Sequence, residues 1–144
     1  ATTNKLVYRD EHFNLYLKYQ NKRHPSNQKF TTSKDSYKKF LLESNVSTEL
    51  FLFRDLKKNL KIISIFDVLI DGLSSFYTFY DPNELKSSLG TYAILWQIEE
   101  CKKRNKEFLY LGYWIKQSKK MAYKTKFRPY QIFVDGKWVT KNEF

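Results

Sequence analysis

The clearest hydrophobic pattern in the chain is a run of β-branched and aromatic residues between Gly72 and the pair Asp81-Pro82. Such residues favour strands, and glycine and proline mark where strands begin and end. Apolar side chains occupy both alternating faces of Leu73–Tyr80. The pattern therefore predicts a strand that is buried on both sides.

A helical pattern follows this strand, beginning after Ser88 and ending near Asn105. A serine at the N-cap, Ser87 or Ser88, is suited to cap the first turn, because its side-chain oxygen can accept hydrogen bonds from free amides. A second apolar run, Phe108–Tyr113, predicts another strand. Strand, helix and strand form a crossover unit, and the free amides at the start of its helix predict an anion site.

The residues before Gly72 predict two helices and three strands. The first helix starts at Asp10 and continues to about Asn21, and Lys22-Arg23-His24-Pro25 ends it. The second helix runs from about Ser33 to Glu43 and is expected to bury three residues, Tyr37, Phe40 and Leu41. The predicted strands are an edge strand around Lys5–Tyr8, then Leu50–Arg54 and Leu60–Ile70, with Asp71-Gly72 as a hairpin turn.

The C-terminal part combines cations with aromatic rings. No acidic residue occurs from Lys116 to Ile132, a stretch that holds six cations: Lys116, Lys119, Lys120, Lys124, Lys126 and Arg128. Cations bind phosphates and exposed rings stack on unpaired bases, so this pattern predicts RNA contact. The alternative is an ordinary solvated face. A hairpin over Ile132–Val139 is predicted to follow.

Composition narrows the possible classes of protein. The 144 residues carry a net charge of +11, which favours a phosphate backbone or another anionic partner. The alternative is a lysine-rich coding bias. We find no apolar run long enough to span a membrane and no signal-peptide pattern, and we expect a cytoplasmic protein. The single cysteine, Cys101, is expected to be a core residue rather than a nucleophile.

The element order predicts one α+β domain over residues 1–144. Two helices, three antiparallel strands, a helix, a strand, a short helix and a hairpin form the order of acyltransferases with the acetyltransferase-type (GNAT) fold. A mixed, mostly antiparallel sheet flanked by helices is therefore expected. This analogy concerns topology, and a fold does not fix a function.

Several sequence blocks carry a more specific resemblance. They are Tyr19–His24, Asp71–Pro82, Ser88–Tyr92, Tyr110–Ile115, Lys120–Lys124 and Phe127–Pro129. Together they resemble the C-terminal domain of the aminoacyl-tRNA–protein transferases. The sequences of Tyr77–Tyr80 and Tyr113–Ile115 are more similar to the bacterial leucyl-transferase branch than to the eukaryotic arginyl branch.

This resemblance implies transfer of an amino acid, leucine rather than arginine, from a charged tRNA to the α-amine of proteins that begin with Asp or Glu. Such proteins are then degraded by the N-end rule. The aminoacyl ester is already activated, so we expect aminoacyl-tRNA as co-substrate and neither a metal nor another cofactor. Family members carry a further N-terminal domain with cysteines, which we expect to be absent here. Gln131 stands where the family often has Glu, and Ser118 where many members have Cys.

The resemblance and the chemistry together suggest binding residues. Arg23 and His24 are candidates for binding the acidic side chain of the substrate, and Ser74 joins this set. Favourable interaction with the helix dipole is the alternative role of the first two residues. The aminoacyl-tRNA candidates are Ser87, Ser88, Leu89, Gly90, Thr91, Tyr113, Lys120, Tyr123, Lys124 and Arg128. The first five of these could equally be no more than a helix cap.

Four residues are candidates for catalysis. Asp71 and Asp81 could position or deprotonate the attacking amine, although both are suited to turns. Tyr77 and Tyr80 could assist the tetrahedral intermediate, although both could also be core residues. We find no order of Ser, His and Asp residues that indicates a covalent nucleophile.

Two alternatives of other kinds stay open. The chain could be a non-catalytic RNA-binding module, or an N-acetyltransferase that uses acyl-CoA. The second usually has a glycine-rich pyrophosphate loop, whereas Ser87–Thr91 offers a single glycine and no arginine.

Overall fold

The computed structural model describes residues 2–23, 32–84 and 88–141. Their elements, in chain order, are β1 (Thr2–Asn4), α1 (Asp10–Arg23), α2 (Lys34–Leu41), β2 (Thr48–Arg54), β3 (Leu60–Val68), β4 (Gly72–Tyr80), α3 (Leu89–Lys103), β5 (Phe108–Tyr110), a 3-10 helix (Ala122–Lys126), β6 (Tyr130–Val134) and β7 (Lys137–Lys141). The predicted mixture of helices and strands is confirmed.

The contacts divide the chain into two compact units, Ala1–Tyr110 and Leu111–Phe144. In the first, the described strands form a sheet in the order β1-β2-β3-β4-β5. Every neighbouring pair is antiparallel except β4 and β5, which are parallel and joined by α3. The predicted crossover unit and the mixed, mostly antiparallel sheet are confirmed.

A buried apolar layer lies on each face of this sheet. One layer packs residues of α1 and α2, including Phe13 and Tyr37, against Ile63 and Phe79. The other contains Ala93 and Cys101 of α3 among the buried residues of the opposite face. Burial raises the pKa of the Cys101 thiol, as expected for a core cysteine.

Two predictions of burial need correction. Phe40 is 46% exposed and Phe76 is 42% exposed, so neither is a core residue. The two rings contact one another at a centroid distance of 5.6 Å. The hydrophobic pattern could not predict the exposure of these two side chains. It depends on α2, which is short and covers only part of the face of β4.

The N-terminus of α3 also differs from the prediction. Ser88 precedes the helix in the left-handed region, at φ 44 and ψ 43, and its side chain makes no capping hydrogen bond. By contrast, Ser33 precedes α2 in an extended conformation and accepts a hydrogen bond from the Ser36 amide. The start of α3 therefore lacks the side-chain cap expected from the sequence.

Gly72 has a different role from the predicted turn residue. The turn occupies residues 69–71, and Gly72 is the first residue of β4. A Cβ atom at Gly72 would lie 2.5 Å from the Phe108 carbonyl oxygen. The glycine is required because β5 approaches the backbone here.

Two predicted strands have the wrong extent. The edge strand is Thr2–Asn4 rather than Lys5–Tyr8, and it pairs with β2. The strand predicted over Phe108–Tyr113 ends at Tyr110. Gly112 follows with φ 74, a conformation outside regular strand geometry.

The second unit contains the predicted hairpin. Strands β6 and β7 pair antiparallel, and Asp135 and Gly136 between them have φ 49 and φ 77. Positive φ at both central residues matches the turn that joins twisted strands most readily. The hairpin prediction is confirmed.

Candidate functional site

One half of β4 has an open edge. The parallel pairing with β5 covers only Gly72–Ser74. From Ser75 to Tyr80 no strand pairs with this edge of β4 among the described residues. In the part of the chain that the structure describes, this half of β4 is therefore paired on one side only.

A bulge lies in the open half of β4. Ile65 pairs with Tyr77 and Phe66 pairs with Ser75, so Phe76 is an extra residue in the register. Neighbouring residues of a regular strand point to opposite faces, but Phe76 and Tyr77 both contact Phe40, at centroid distances of 5.6 and 5.3 Å. The bulge thus places two adjacent aromatic side chains beside the same ring of α2.

Tyr77 is held by the last turns of α1. The Gln20 amide Nε2 donates a hydrogen bond of 2.5 Å to the Tyr77 hydroxyl oxygen. Burial raises the pKa of Tyr77, and the charge of Arg23 opposes part of that rise. Tyr77 is therefore a neutral phenol at physiological pH, and the positive charge of the Arg23 guanidinium acts on its hydroxyl.

Tyr80 connects α1 with the start of α3. Its ring packs edge-on against Tyr19 at 4.9 Å, and the Arg23 guanidinium lies 5.7 Å from the Tyr19 ring centroid. On the other side, a Cβ atom at Gly90 would lie 3.2 Å from the Tyr80 ring. The structure therefore brings together four predicted residues: Arg23, Tyr77, Tyr80 and Gly90.

The first turn of α3 has features of an anion site. It contains no acidic residue, and Ser88 does not cap it. The first amides of a helix have no partner within the helix, and the helix dipole adds positive potential there. The described candidates Ser88, Leu89, Gly90 and Thr91 all lie at this end. Ser87 and His24 lie outside the described residues.

The two aspartates lie at opposite ends of β4. Asp81 follows Tyr80 and forms an ion pair with Lys61 at 3.3 Å, which Glu84 joins at 2.8 Å. Asp71 precedes Gly72 and accepts a hydrogen bond of 2.8 Å from the Tyr110 hydroxyl. Nine residues of strand span about 30 Å, so the two carboxylates do not share one site.

Ser74 lies in the paired half of β4, opposite Asp67 on β3 and Tyr110 on β5. It is therefore separated along the strand from Tyr77 and Tyr80. The geometry groups Ser74 with Asp71 and not with the tyrosine end. Its assignment to substrate binding stays a prediction.

The second unit holds the remaining candidates. Tyr113 is 92% exposed, and the Lys124 ammonium donates a 2.5 Å hydrogen bond to its carbonyl oxygen. Lys120 and Arg128 are exposed, and Tyr123 is 39% exposed. Lys124 lies in the 3-10 helix with Tyr123. This unit therefore presents rings and cations on its surface, as RNA contact requires.

Sequence reasoning missed Tyr19, Gln20 and Phe40 as site residues. The first two lie in the block Tyr19–His24, whose resemblance to the family was a signal that could have found them. Phe40 had no such signal, because its position beside Tyr77 depends on the bulge.

We find no group of three or more His, Cys, Asp or Glu residues able to hold a metal ion within residues 2–23, 32–84 and 88–141. In the same ranges, no helix has the length and apolarity needed to cross a membrane.

Comparison with a solved structure supports the fold. The ribosomal-protein-S18-alanine N-acetyltransferase from Escherichia coli superposes with a TM-score of 0.57 at 16% identity, covering 91% of this chain and 78% of that chain. At this identity the likeness concerns the fold alone. The predicted GNAT-like fold is confirmed.

Sequence comparison identifies closer relatives. An aspartate/glutamate leucyltransferase of Nitrosospira multiformis is 48% identical over 138 residues, which are 96% of this chain and 55% of that protein. One from Polynucleobacter asymbioticus is 41% identical over 143 residues, covering 96% and 58%. The chain spans about half the length of the curated relatives it matches.

A family described as "Arginine-tRNA-protein transferase, C terminus" matches residues 11–134. The match includes the open half of β4, the end of α1 and the start of α3, and it continues through β6 of the second unit. The chain therefore belongs to this family of aminoacyl-tRNA–protein transferases.

Proposed function

We propose that this chain transfers leucine from leucyl-tRNA to the N-terminal α-amine of proteins that begin with Asp or Glu. The observation that carries this proposal is the meeting of Arg23, Tyr77, Tyr80 and the start of α3 at the open half of β4. In the cell the product would be marked for degradation by the N-end rule, and the reaction would take place in the cytoplasm.

The reaction needs alignment more than activation. The neutral amine attacks the ester carbonyl, the carbon–oxygen bond to the tRNA ribose breaks, and one proton passes from the amine to the ribose oxygen. Holding both reactants in place can lower the barrier by about 7–11 kcal/mol. The open β4 edge offers backbone groups that would hold the substrates in register.

Tyr77 is suited to stabilise the tetrahedral intermediate. Burial raises the pKa of its phenol, so the hydroxyl keeps its proton and can donate it in a hydrogen bond. Donors aimed at a developing oxyanion stabilise the transition state strongly, because they need no reorganisation during the reaction. We assign this donor role to Tyr77, with Tyr80 packing against the start of α3.

Arg23 is suited to recognise the acidic first residue of the acceptor. It lies in the last turn of α1, and its charge reaches the Tyr77 hydroxyl. A guanidinium binds a carboxylate through paired, charge-assisted hydrogen bonds. His24 is the adjoining candidate for the same task.

Phe40 and Phe76 favour leucine as the transferred residue. Both rings are partly exposed beside Tyr77. An exposed apolar pair loses contact with water when it packs against an aliphatic side chain, whereas a guanidinium would lose hydration there. Two relatives named as aspartate/glutamate leucyltransferases support the same choice.

The start of α3 and the second unit are suited to bind the tRNA. Free helix amides bind phosphate, and the net charge of +11 attracts the nucleic acid. Lys120, Lys124 and Arg128 would contact phosphates, while Tyr113 and Tyr123 would stack on unpaired bases.

The test is transfer of radiolabelled leucine or arginine from the matching charged tRNA to peptides that differ only in their first residue, Asp, Glu or Ala. We expect leucine to be incorporated into the Asp and Glu peptides and not into the Ala peptide. Binding of tRNA without any transfer would favour the RNA-binding module. Acetylation of the same peptides from acetyl-CoA, without transfer from tRNA, would favour the acetyltransferase.

A further inference from the structure

The carboxamide of Gln20 is buried between two tyrosine hydroxyls. Gln20 is 5% exposed, and its Nε2 donates to the Tyr77 oxygen at 2.5 Å. The same side chain hydrogen-bonds the Tyr16 hydroxyl, which lies one helical turn earlier in α1. The Tyr16 and Tyr77 rings are 6.2 Å apart, so one amide contacts two neighbouring phenols.

The direction of these hydrogen bonds determines where the phenol protons point. At Tyr77 the amide nitrogen is the donor and the phenol oxygen the acceptor. Burial raises the pKa of both tyrosines, and the hydrogen bond from Gln20 opposes part of that rise in each. An amide NH₂ has two hydrogens, one for each phenol. Because the Tyr77 oxygen accepts from Gln20, its own O–H bond is directed away from this amide.

Packing alone does not explain a glutamine at this position. The buried layer formed by α1 and the sheet is apolar and aromatic and includes Tyr16, Tyr19 and Phe79. A buried amide is tolerated only when it is hydrogen-bonded, and an aliphatic side chain of similar size would fill the space without that requirement.

We propose that Gln20 is a positioning residue that fixes the Tyr77 hydroxyl so that its proton points to the reacting ester oxygen. This proposal rests on the proposed function, because the ester belongs to the aminoacyl-tRNA. Gln20 itself touches no reacting atom; it sets which lone pair of the Tyr77 oxygen is occupied. The role requires a donor, and a carboxylate of the same shape would reverse the hydrogen bond and draw the Tyr77 proton inward.

The test compares Gln20→Glu, which keeps the shape but replaces the donor by an acceptor, with Gln20→Met, which keeps the volume and removes both polar atoms. Each is made in the natural chain and in Tyr77→Phe, and leucine transfer from leucyl-tRNA to an Asp-starting peptide is followed. In the natural background we expect kcat to fall about 10- to 100-fold with KM unchanged. In the Tyr77→Phe background neither substitution should lower kcat further.

Asn14→Asp makes the same change from amide to acid on the exposed face of α1 and should leave kcat unchanged. Circular dichroism confirms that each variant is folded. Two results would overturn the role of Gln20: kcat equal to that of the natural chain in both variants, or an equal loss with and without the Tyr77 hydroxyl, which would indicate a purely structural role. If the natural chain transfers nothing, the proposed function fails, and the positioning role fails with it.

Discussion

The two ends of β4 differ although they belong to one continuous strand. At the first end, Leu73 and Ser74 pair with strands on both sides, Gly72 pairs with β5, and the Asp71 carboxylate accepts a hydrogen bond from the Tyr110 hydroxyl. At the second end, Ser75–Tyr80 pair only with β3, and a bulge turns Phe76 and Tyr77 to the same side. The first end lies inside the sheet, whereas the second end has an edge with no pairing strand among the described residues.

This difference shows how a single strand can serve two purposes. Its closed end is held by backbone pairing that leaves no space even for a methyl group at Gly72. Its open end packs against residues of α1 and α3 instead, through Tyr77 and Tyr80.

The closed end should be the less tolerant of added volume. Gly72→Ala places a methyl group 2.5 Å from the Phe108 carbonyl oxygen, and this backbone atom can move only if β5 shifts. We expect the free energy of unfolding to fall by about 3 kcal/mol. Urea denaturation measures it. Gly90→Ala is the matched control, because its methyl group meets the movable Tyr80 ring at 3.2 Å and should cost clearly less. Equal losses in the two variants would contradict the comparison.

The open end should lose substrate affinity when its cation is removed. Arg23→Ala should raise KM for an Asp-starting peptide about tenfold, because a charge-assisted hydrogen bond is lost. Affinity for tRNA should stay unchanged. Lys22→Ala removes a neighbouring exposed charge and serves as control. A selective loss of tRNA binding in Arg23→Ala would instead assign Arg23 to the nucleic-acid surface.

The dependence of stability on pH should distinguish a buried residue of the scaffold, His12, from Tyr77 at the open end of β4. His12 in α1 is fully buried, and burial lowers its pKa below the ordinary value of 6.5. Below pH 6.5 the unfolded chain therefore binds more protons at His12 than the folded chain does. As a result, the free energy of unfolding decreases as the pH falls. The slope of the free energy of unfolding against pH should approach about 1.4 kcal/mol per pH unit. In His12→Leu the free energy of unfolding should lose this slope between pH 6.5 and the lowered pKa, whereas Tyr77→Phe should keep it. A slope that persists in His12→Leu would show that another group titrates.

The second unit should contribute to tRNA affinity through single charges. Lys120→Ala and Lys124→Ala should each reduce the slope of log affinity against log salt by about one, because each phosphate contact releases counterions. Filter binding at several salt concentrations measures the slope. Lys57→Ala, in the exposed turn between β2 and β3, is the control. Unchanged slopes in both variants would make this surface an ordinary solvated one.

The sequence predicts the elements well where one periodicity dominates. The positions of β2 and β3, each with one end misplaced by two residues, the crossover through α3 and the final hairpin all follow from local patterns and turn residues. The bulge at Phe76 and the exposure of Phe40 do not, because both depend on which residues of distant elements meet. The same limit applies to the site. Arg23 and Tyr77 could be proposed from the family blocks, but the hydrogen bond from Gln20 requires the packing of α1 on β4.

The most direct test of this account is the single-turnover rate of leucine transfer in two variants at the opposite ends of β4. Tyr77→Phe removes a hydroxyl at the open end, and we expect the rate to fall about 100-fold. Asp71→Asn changes a carboxylate at the closed end, and the rate should stay close to that of the natural chain. A large loss in Asp71→Asn together with an unchanged rate in Tyr77→Phe would contradict the placement of the chemistry at the open end.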